Sequence, residues 1–446
     1  MTDLLLFVAA KLAVLSFGAP AAFLAESRTH GRIARLAIAY VTGCVVLTAW
    51  ALALSYLHVR WTPLTLGAPL IAAAIAGIWL VRRYSRPVEV STAREPLDVR
   101  IVLSGVVTAL ALAHVFFSII ATRMTSADYL YFWGAKATRF AQAGGIDLEL
   151  LRNPLMMHLH PTYPPLVTVN YAWDNLVMGR MAWRVEMLNT WLWFAATVVV
   201  LYSMLSHRIG RRNAAPVVAF WSMALGIGLE WSFTAGNAES PLVLFAVVAA
   251  MALLPGTPRP SVLAVVALVG CVWTKTEGTV LWLVLAAAAA TVRFGTPRRS
   301  WIRDLAAPVL VPAAALGAWF LFEWLNGLPT SDPTRERAFA ASFSAARQVI
   351  GAMLWYLHGA TYWLSWLVPA VVLFASFKWW REAALPAIAA LLLLGFYFGY
   401  YLHVEPAMVT DMIKWTFPRV SLPSLALWIV AAGLAWGTQP SRRAEL

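Results

Sequence analysis

The sequence predicts an all-α, polytopic membrane protein. Of its 446 residues, 61% are hydrophobic and only 12% are charged, whereas about one quarter of the residues in a soluble domain are charged. Apolar runs of roughly 20 residues, the length of a helix that crosses the hydrocarbon core, recur along the whole chain. Together, these two observations argue against a soluble globular protein.

The apolar runs predict about thirteen membrane-spanning helices in a single integral-membrane domain, 1–446. Three of the spans fall within residues 1–100, and several spans are interrupted by Gly or Pro. The predicted spans are 3–25, 34–57, 64–82, 101–122, 184–206, 214–231, 239–255, 261–275, 277–293, 304–325, 349–377, 383–402 and 417–437.

The Lys and Arg residues predict the side of the membrane on which each loop lies. If the N-terminus is outside and the spans alternate, 20 of the 34 Lys and Arg residues fall in the inner loops and the tail, and 13 fall in the much longer outer segments. Basic loops are retained in the cytoplasm. Membrane topology therefore accounts for the net charge of +13, and we expect no nucleic-acid partner. This orientation also predicts a cytoplasmic C-terminus.

The segment 123–184 is the least typical part of the chain. Residues 140–180 are too polar and too rich in Pro to cross the membrane, so we expect short helices along the outer surface, one of them after Pro164-Pro165. The same orientation brings other polar residues to this face, namely Glu239, Lys275, Glu277, His403, Glu405, Asp411 and Arg419. The sequence therefore predicts a functional site on the outer face.

Two carboxylates are candidates for chemistry at this site. Asp128 follows the fourth predicted span by about six residues and precedes an aromatic run. A carboxylate there can accept a proton or bind a divalent cation, although it can also be an ordinary solvated acid. Glu239 opens a predicted helix, where an acid is also favoured simply as a cap.

The run from His160 to Pro165 reads His-Pro-Thr-Tyr-Pro-Pro and predicts a rigid loop. Each Pro fixes its own φ and restrains the residue before it. Such a loop can hold His160 and Tyr163 at a set distance from a reacting group, and it can equally serve as an elbow before a helix. His158 lies two residues earlier, so in an extended backbone it would face the same side as His160.

Two cations are the candidate anion-binding groups. Lys275 lies at an outer span boundary with Glu277 two residues on, and Arg419 begins the last predicted span from the outer side. A guanidinium suits bidentate phosphate contacts. The alternatives are a snorkelling Lys275 in an ion pair and a contact between Arg419 and lipid headgroups.

Taken in order, these motifs resemble the GT-C superfamily of integral-membrane glycosyltransferases, nearest the bacterial relatives of protein O-mannosyltransferases and lipid A aminoarabinose transferases. Asp128 resembles the catalytic Asp of the family's large outer loop, and the run beginning at His160 resembles its His-Pro-x-Tyr-Pro-Pro element. The stretch Asn-Ala-Glu-Ser-Pro-Leu around Glu239 is similar to its second acidic turn. Lys-Thr-Glu-Gly from Lys275 and the late Arg419 are similar to its Lys-x-Glu-Gly turn and its phosphate-facing Arg.

The resemblance implies a GT-C fold and an inverting glycosyltransferase with its catalytic loop in 123–184. The expected donor is a polyprenyl-phosphate sugar, the expected acceptor is a lipid, glycan or protein, and the surroundings are the lipids of a bacterial inner membrane, with the site on the extracytoplasmic face. The implied catalytic residues are Asp128 and Glu239, and the implied substrate-binding residues are Lys275, Arg419, His160, Tyr163 and Glu277. A divalent cation, Mg²⁺ or Mn²⁺, held by Asp128 and His160 is the one cofactor that the resemblance leaves open.

Two other classes remain as alternatives. A multi-pass transporter or flippase of a lipid-linked or polar substrate is expected to have internal repeats and broken helices, with polar residues near mid-membrane. No internal repeat is visible in the sequence. A non-catalytic membrane assembly protein would not need the polar residues that gather on one face.

Overall fold

The computed structural model is helical throughout the part of the chain that it describes. That part comprises residues 2–24, 31–84, 98–121, 128–227, 236–255, 262–294, 298–329, 343–357, 362–376, 380–405 and 407–438. No β-strand occurs within these residues.

The first half of the described chain contains ten α-helices and two short helical turns of other types. The α-helices are α1 (Thr2–Leu24), α2 (Arg32–Tyr56), α3 (Pro63–Tyr84), α4 (Val99–Ala121), α5 (Gly134–Ala143), α6 (Leu148–Arg152), α7 (Leu166–Met178), α8 (Trp183–Glu186), α9 (Leu188–Ile209) and α10 (Arg211–Gly226). A π-helical turn covers Asp128–Trp133, and a 3₁₀ helix covers Pro154–Leu159.

The second half of the described chain has nine further helices. These are α11 (Glu239–Ala252), α12 (Val262–Thr274), α13 (Thr276–Arg293), α14 (Arg298–Leu325), α15 (Phe343–Leu357), α16 (Tyr362–Ala375), α17 (Trp380–Leu402), α18 (Val409–Val420) and α19 (Leu422–Gly437).

Eight helices in the described residues are long and apolar enough to cross a membrane, and a ninth is added if α18 and α19 form one bent span. The protein is thus a polytopic helical membrane protein, but the count of thirteen is not supported. The predicted span 349–377 corresponds to two helices, α15 and α16. The predicted span 417–437 starts inside α18, which is bent by 48° from α19, so Arg419 ends a separate short helix instead of opening the last span.

Helix α11 is the centre of the bundle. All fourteen of its residues are buried, and it packs against α9, α12 and α19. At 1.5 Å per residue it is roughly 21 Å long, shorter than the roughly 30 Å hydrocarbon core. Because every residue of α11 is buried, neighbouring helices cover it on all sides, and its first residue, Glu239, is only 1% exposed.

The helix after Pro164-Pro165 forms as predicted, but it is buried instead of lying on the surface. Helix α7 packs against α1, α2 and α5, and its polar residues find partners inside the protein. Lys11 of α1 donates to Asp174 Oδ2 at 2.7 Å, and Asn189 donates to the same oxygen at 2.7 Å. The sequence places Lys11 within a span but gives no sign of this ion pair.

Loss of one member of the buried pair is expected to destabilise the fold strongly. Because Asp174 is 0% exposed, Lys11→Met leaves a buried carboxylate without its cation, a change that costs about 3–5 kcal/mol. Adding Asp174→Leu should restore part of this loss. Asp3→Asn is the matched control, since it breaks the exposed Arg180–Asp3 pair, worth at most about 1 kcal/mol. Thermal unfolding in detergent measures all three, and equal effects of Lys11→Met and Asp3→Asn would contradict the expectation.

Candidate active site

Five charged side chains from four separate segments meet at one end of the helical bundle. We call this group the charged cluster; its members are Asp128, Glu239, Lys275, Glu277 and Arg419. Each member lies in or next to the end of a helix, because Asp128 opens the π-helical turn, Glu239 opens α11, Lys275 and Glu277 flank the start of α13, and Arg419 lies in the last turn of α18. The structure thus brings together five residues that span almost 300 positions of sequence.

The first contact of the charged cluster joins Asp128 to Arg419. Arg419 Nη1 donates to Asp128 Oδ2 at 2.6 Å, and both side chains are 20% exposed. Burial raises the pKa of Asp128 above its usual range, and the nearby Arg419 acts in the opposite sense. A carboxylate with a raised pKa is closer to the value that suits a general base near neutral pH.

The second contact joins Lys275 to two glutamates. Lys275 Nζ donates to Glu239 Oε1 at 3.0 Å and lies 2.9 Å from Glu277 Oε1. Lys275 has an extended backbone, with φ −164° and ψ 161°, between α12 and α13. From this turn the Lys275 ammonium reaches Glu239 at the start of α11. Lys275 therefore does form an ion pair, which was one of the two interpretations of this residue. Glu239 is not only the first residue of α11 but also a partner of this cation.

The charged cluster keeps unused hydrogen-bonding atoms. Within the described residues, Arg419 Nε has no hydrogen-bond partner, and neither have Glu239 Oε2 and Glu277 Oε2, although all three atoms are buried. Buried polar atoms are nearly always paired, with protein, with water or with a ligand. One spare donor and two spare acceptors fit a ligand that carries both an anion and hydroxyl groups.

Glycine at position 278 allows the turn that carries Lys275 and Glu277. A methyl group on Gly278 would lie 1.8 Å from the carbonyl oxygen of Cys271, which is closer than any real contact. The Gly278 amide donates to the Lys275 carbonyl at 2.8 Å. Close packing against the backbone of α12 therefore explains why the last residue of the Lys-Thr-Glu-Gly motif is Gly.

Gly278→Ala is expected to push α12 and α13 apart and to destabilise the protein by about 1–3 kcal/mol, the usual range for overpacking. Gly317→Ala is the control, because a methyl group at Gly317 of α14 meets nothing within 4 Å. Thermal unfolding of the two variants in detergent tests the expectation. A Gly278→Ala protein as stable as Gly317→Ala would show that the helices do not pack this closely.

The loop with His160 and Tyr163 forms an aromatic stack beside the charged cluster. The His160 ring stacks on Tyr163 at 4.5 Å between centroids, and the Trp133 ring also stacks on Tyr163, at 5.5 Å. His160 has a left-handed backbone, with φ 49°, at the end of the 3₁₀ helix. The prediction that His158 and His160 face one side of an extended backbone is therefore wrong, because His158 lies in the 3₁₀ helix and His160 is left-handed.

The residues proposed for a metal do not form a suitable site. Asp128 is committed to Arg419, whose positive charge disfavours a second cation, and the His160 ring lies against Tyr163 and Phe132. The described residues contain no group of three or more His, Cys, Asp or Glu side chains that could hold a metal ion. Mg²⁺ and Mn²⁺ need several oxygen ligands, which Asp128 and His160 alone do not supply, and no step below uses such an ion.

Several residues near the charged cluster were not found from the sequence. Tyr129 donates to Glu186 at 2.8 Å and thereby ties the π-helical turn of Asp128 to α8, which directly precedes α9. Lys136 of α5 is 2% exposed and donates to the His160 carbonyl at 3.1 Å, and burial lowers its pKa to about 7. Tyr397 of α17 is buried within electrostatic range of Glu277 and Lys275. The sequence signal for Tyr129 was the aromatic run after Asp128, and the signal for Tyr397 was the Phe396-Tyr397-Phe398 run, which is equally typical of a lipid-facing helix.

No protein-family model matches the chain, and neither a curated protein nor a solved structure shows significant similarity to it. The assignment of a function therefore depends on the sequence motifs and on the geometry of the charged cluster.

Proposed function

We propose that the protein is a GT-C-type glycosyltransferase that moves a sugar from a polyprenyl-phosphate donor to an acceptor on the outer face of the membrane. The observation that carries the proposal is the convergence of Asp128, Glu239, Lys275, Glu277 and Arg419 at one end of the bundle. Four motifs that resemble the GT-C pattern contribute these residues in the order in which that family has them.

The spare atoms of the charged cluster match the two halves of the proposed donor. Arg419 Nε can donate to a phosphate oxygen without breaking the bond from Nη1 to Asp128. The free oxygens of Glu239 and Glu277 can accept from sugar hydroxyls. Arg and Lys contacts to phosphate are charge-assisted and strengthen as the leaving group gains charge.

The proposed reaction is a single displacement at the anomeric carbon. The acceptor oxygen forms a bond to this carbon while the bond from carbon to the phosphate oxygen breaks, so that the configuration inverts. Asp128 takes the proton from the acceptor hydroxyl, and the electron pair of the broken bond stays on the polyprenyl phosphate. Arg419 and Lys275 stabilise the charge that develops there, and Tyr163, which stacks on His160 and Trp133, lines the sugar side.

A transporter or flippase is the second candidate, and one observation favours it. The Lys11–Asp174 pair lies inside the bundle, and intramembrane ion pairs often belong to ion or proton pathways. However, the charged cluster lies at helix ends and not in the middle of the bundle. Transport would leave the donor chemically intact, whereas the proposed reaction cleaves it.

The direct test is a transfer assay with the purified protein in liposomes. Polyprenyl-phosphate donors with different radiolabelled sugars are supplied together with a membrane extract as the source of acceptors. We expect at least one donor to yield polyprenyl phosphate and a labelled acceptor. If every donor is recovered intact but appears in the opposite leaflet, the protein is a flippase and the proposal fails.

The topology is a separate prediction. Counted over the thirteen spans predicted from the sequence, 20 Lys and Arg residues lie on the inner side and 13 on the outer side, which predicts that residues 140–155 are extracytoplasmic and that Leu446 is cytoplasmic. Alkaline phosphatase and fluorescent-protein fusions at these two places measure the orientation. A fusion within 140–155 that behaves as cytoplasmic would place the charged cluster on the wrong side for an outer-leaflet donor.

A further inference from the structure

A cavity lies far from the charged cluster. Its volume is about 760 Å³, within the range of roughly 300–1,000 Å³ that is usual for ligand pockets. It is formed by the first turn of α2, the first half of α4, the last half of α9 and the start of α10. We call it the inner groove.

The inner groove lies at the opposite end of the same helices that lead to the charged cluster. Helix α4 lines the groove from Ile101 to Leu112 and ends at Ala121, just before Asp128. Helix α9 begins near Glu186, the partner of Tyr129, and reaches the groove at Val198 to His207. Twenty residues of helix are about 30 Å long, so the two places lie on opposite faces of the bundle. By the positive-inside orientation, the groove faces the cytoplasm.

One end of the inner groove is basic. Arg32 and Arg211 are exposed and line it together with His207, and no acidic residue occurs among the described residues that line it. The nearby acid Asp98 pairs with Arg212, so it does not neutralise the charge of Arg211. The groove therefore has a positive mouth.

Two helices begin at this basic mouth. Gly31 precedes α2 and Gly210 precedes α10, and neither provides a side-chain cap. The first amide groups of an α-helix have no partner within the helix and favour a nearby anion. They add to the two arginines a set of neutral donors that suits a phosphate group.

The rest of the inner groove is apolar. Ile33, Ile101, Leu112, Val198 and Val218 line it, and hydroxyl groups of Ser104, Thr108 and Ser206 are interspersed. Helices α2 and α4 both pack against α9, and the groove lies between them. A soluble anion would gain nothing from these apolar walls, whereas an acyl chain would.

We propose that the inner groove binds an anionic phospholipid of the cytoplasmic leaflet. Arg32 and Arg211 hold the headgroup phosphate, and the aliphatic residues of α2, α4, α9 and α10 hold one acyl chain. This site is independent of the glycosyltransferase proposal, since it shares no residue with the charged cluster.

Native mass spectrometry of the purified full chain tests the proposal. The protein in detergent is titrated with phosphatidylglycerol and, separately, with phosphatidylcholine, and the bound lipid is counted. We expect one phosphatidylglycerol to bind at least about 10-fold more tightly than phosphatidylcholine, which corresponds to one good charge-assisted contact. The double variant Arg32→Gln/Arg211→Gln should lose this preference. Arg303→Gln, the same substitution at one exposed residue of α14 outside the groove, should keep it.

A variant without a charge change tests the apolar part independently. Thr108→Trp fills the groove and should lower phosphatidylglycerol binding by about 10-fold while thermal unfolding stays close to wild type. Phosphatidylglycerol binding that is unchanged in both the double variant and Thr108→Trp overturns the proposal. Displacement of phosphatidylglycerol by millimolar inorganic phosphate, with no effect of Thr108→Trp, also overturns it, because the occupant is then a soluble anion.

Discussion

Asp128→Asn is expected to abolish sugar transfer while the protein still folds and inserts. The substitution keeps the shape of the side chain but removes the group that accepts the acceptor proton, and loss of a general base lowers the rate by about 10²-fold or more. Because burial raises the pKa of Asp128, the wild-type rate should also fall as the pH drops through that pKa and the carboxyl group becomes protonated. The assay is turnover of the purified variant in liposomes over a range of pH.

Asp98→Asn is the matched control for Asp128→Asn. Asp98 also pairs with an arginine, Arg212, but this pair lies beside the inner groove. Asp98→Asn should therefore keep normal transfer, since it breaks an Asp–Arg pair without touching the charged cluster. Near-normal turnover by Asp128→Asn would show that Asp128 is not the general base, regardless of the result for Asp98→Asn.

Arg419→Ala and Lys275→Ala are each expected to weaken donor use by about 10- to 100-fold. A charge-assisted hydrogen bond contributes roughly 1.5–3 kcal/mol, and each 1.4 kcal/mol corresponds to a factor of ten. Arg419→Lys should recover only part of the loss, because a lysine cannot bond Asp128 and a phosphate with one planar fork. Titration of the donor at fixed acceptor, with purified variants in lipid, measures the effect.

The two cations should differ in their effect on stability. Lys275→Ala leaves Glu239, which is 1% exposed, without its cation, whereas Arg419→Ala leaves Asp128, whose side chain is 20% exposed. Lys275→Ala should therefore also lower the unfolding temperature, and donor use is compared only at temperatures where both variants are folded. Normal donor dependence in both Ala variants would show that these residues do not share a phosphate.

Membrane character and the first helices could be predicted from the sequence because they depend on local composition. The predicted spans 3–25, 34–57, 64–82 and 101–122 lie within a few residues of α1 to α4. The charge pattern also predicted that Glu239, Lys275 and Arg419 lie close together, since each one interrupts an apolar stretch of the sequence.

The remaining features depend on contacts between distant segments. Helix α7 reads as a polar surface helix until Asp174 is seen against Lys11, 163 positions away. Helices α11 and α12 look like spans in the sequence because they are apolar almost throughout, although at 14 and 13 residues they are shorter than a helix that crosses the hydrocarbon core. The pairing of Lys275 with Glu239 and of Arg419 with Asp128, and the burial of Lys136 against the His160 carbonyl, leave no local pattern in the sequence. The Lys275–Glu277 pair could be predicted because its members are two residues apart.

The most direct test of the proposed site is a cryo-EM structure of the protein with undecaprenyl phosphate, the lipid left after transfer. The account predicts phosphate density within hydrogen-bond distance of Arg419 Nε and Lys275 Nζ, with the polyprenyl chain leaving the charged cluster between helices towards the membrane. Phosphate bound elsewhere, with the Arg419–Asp128 and Lys275–Glu239 pairs unchanged, would contradict it.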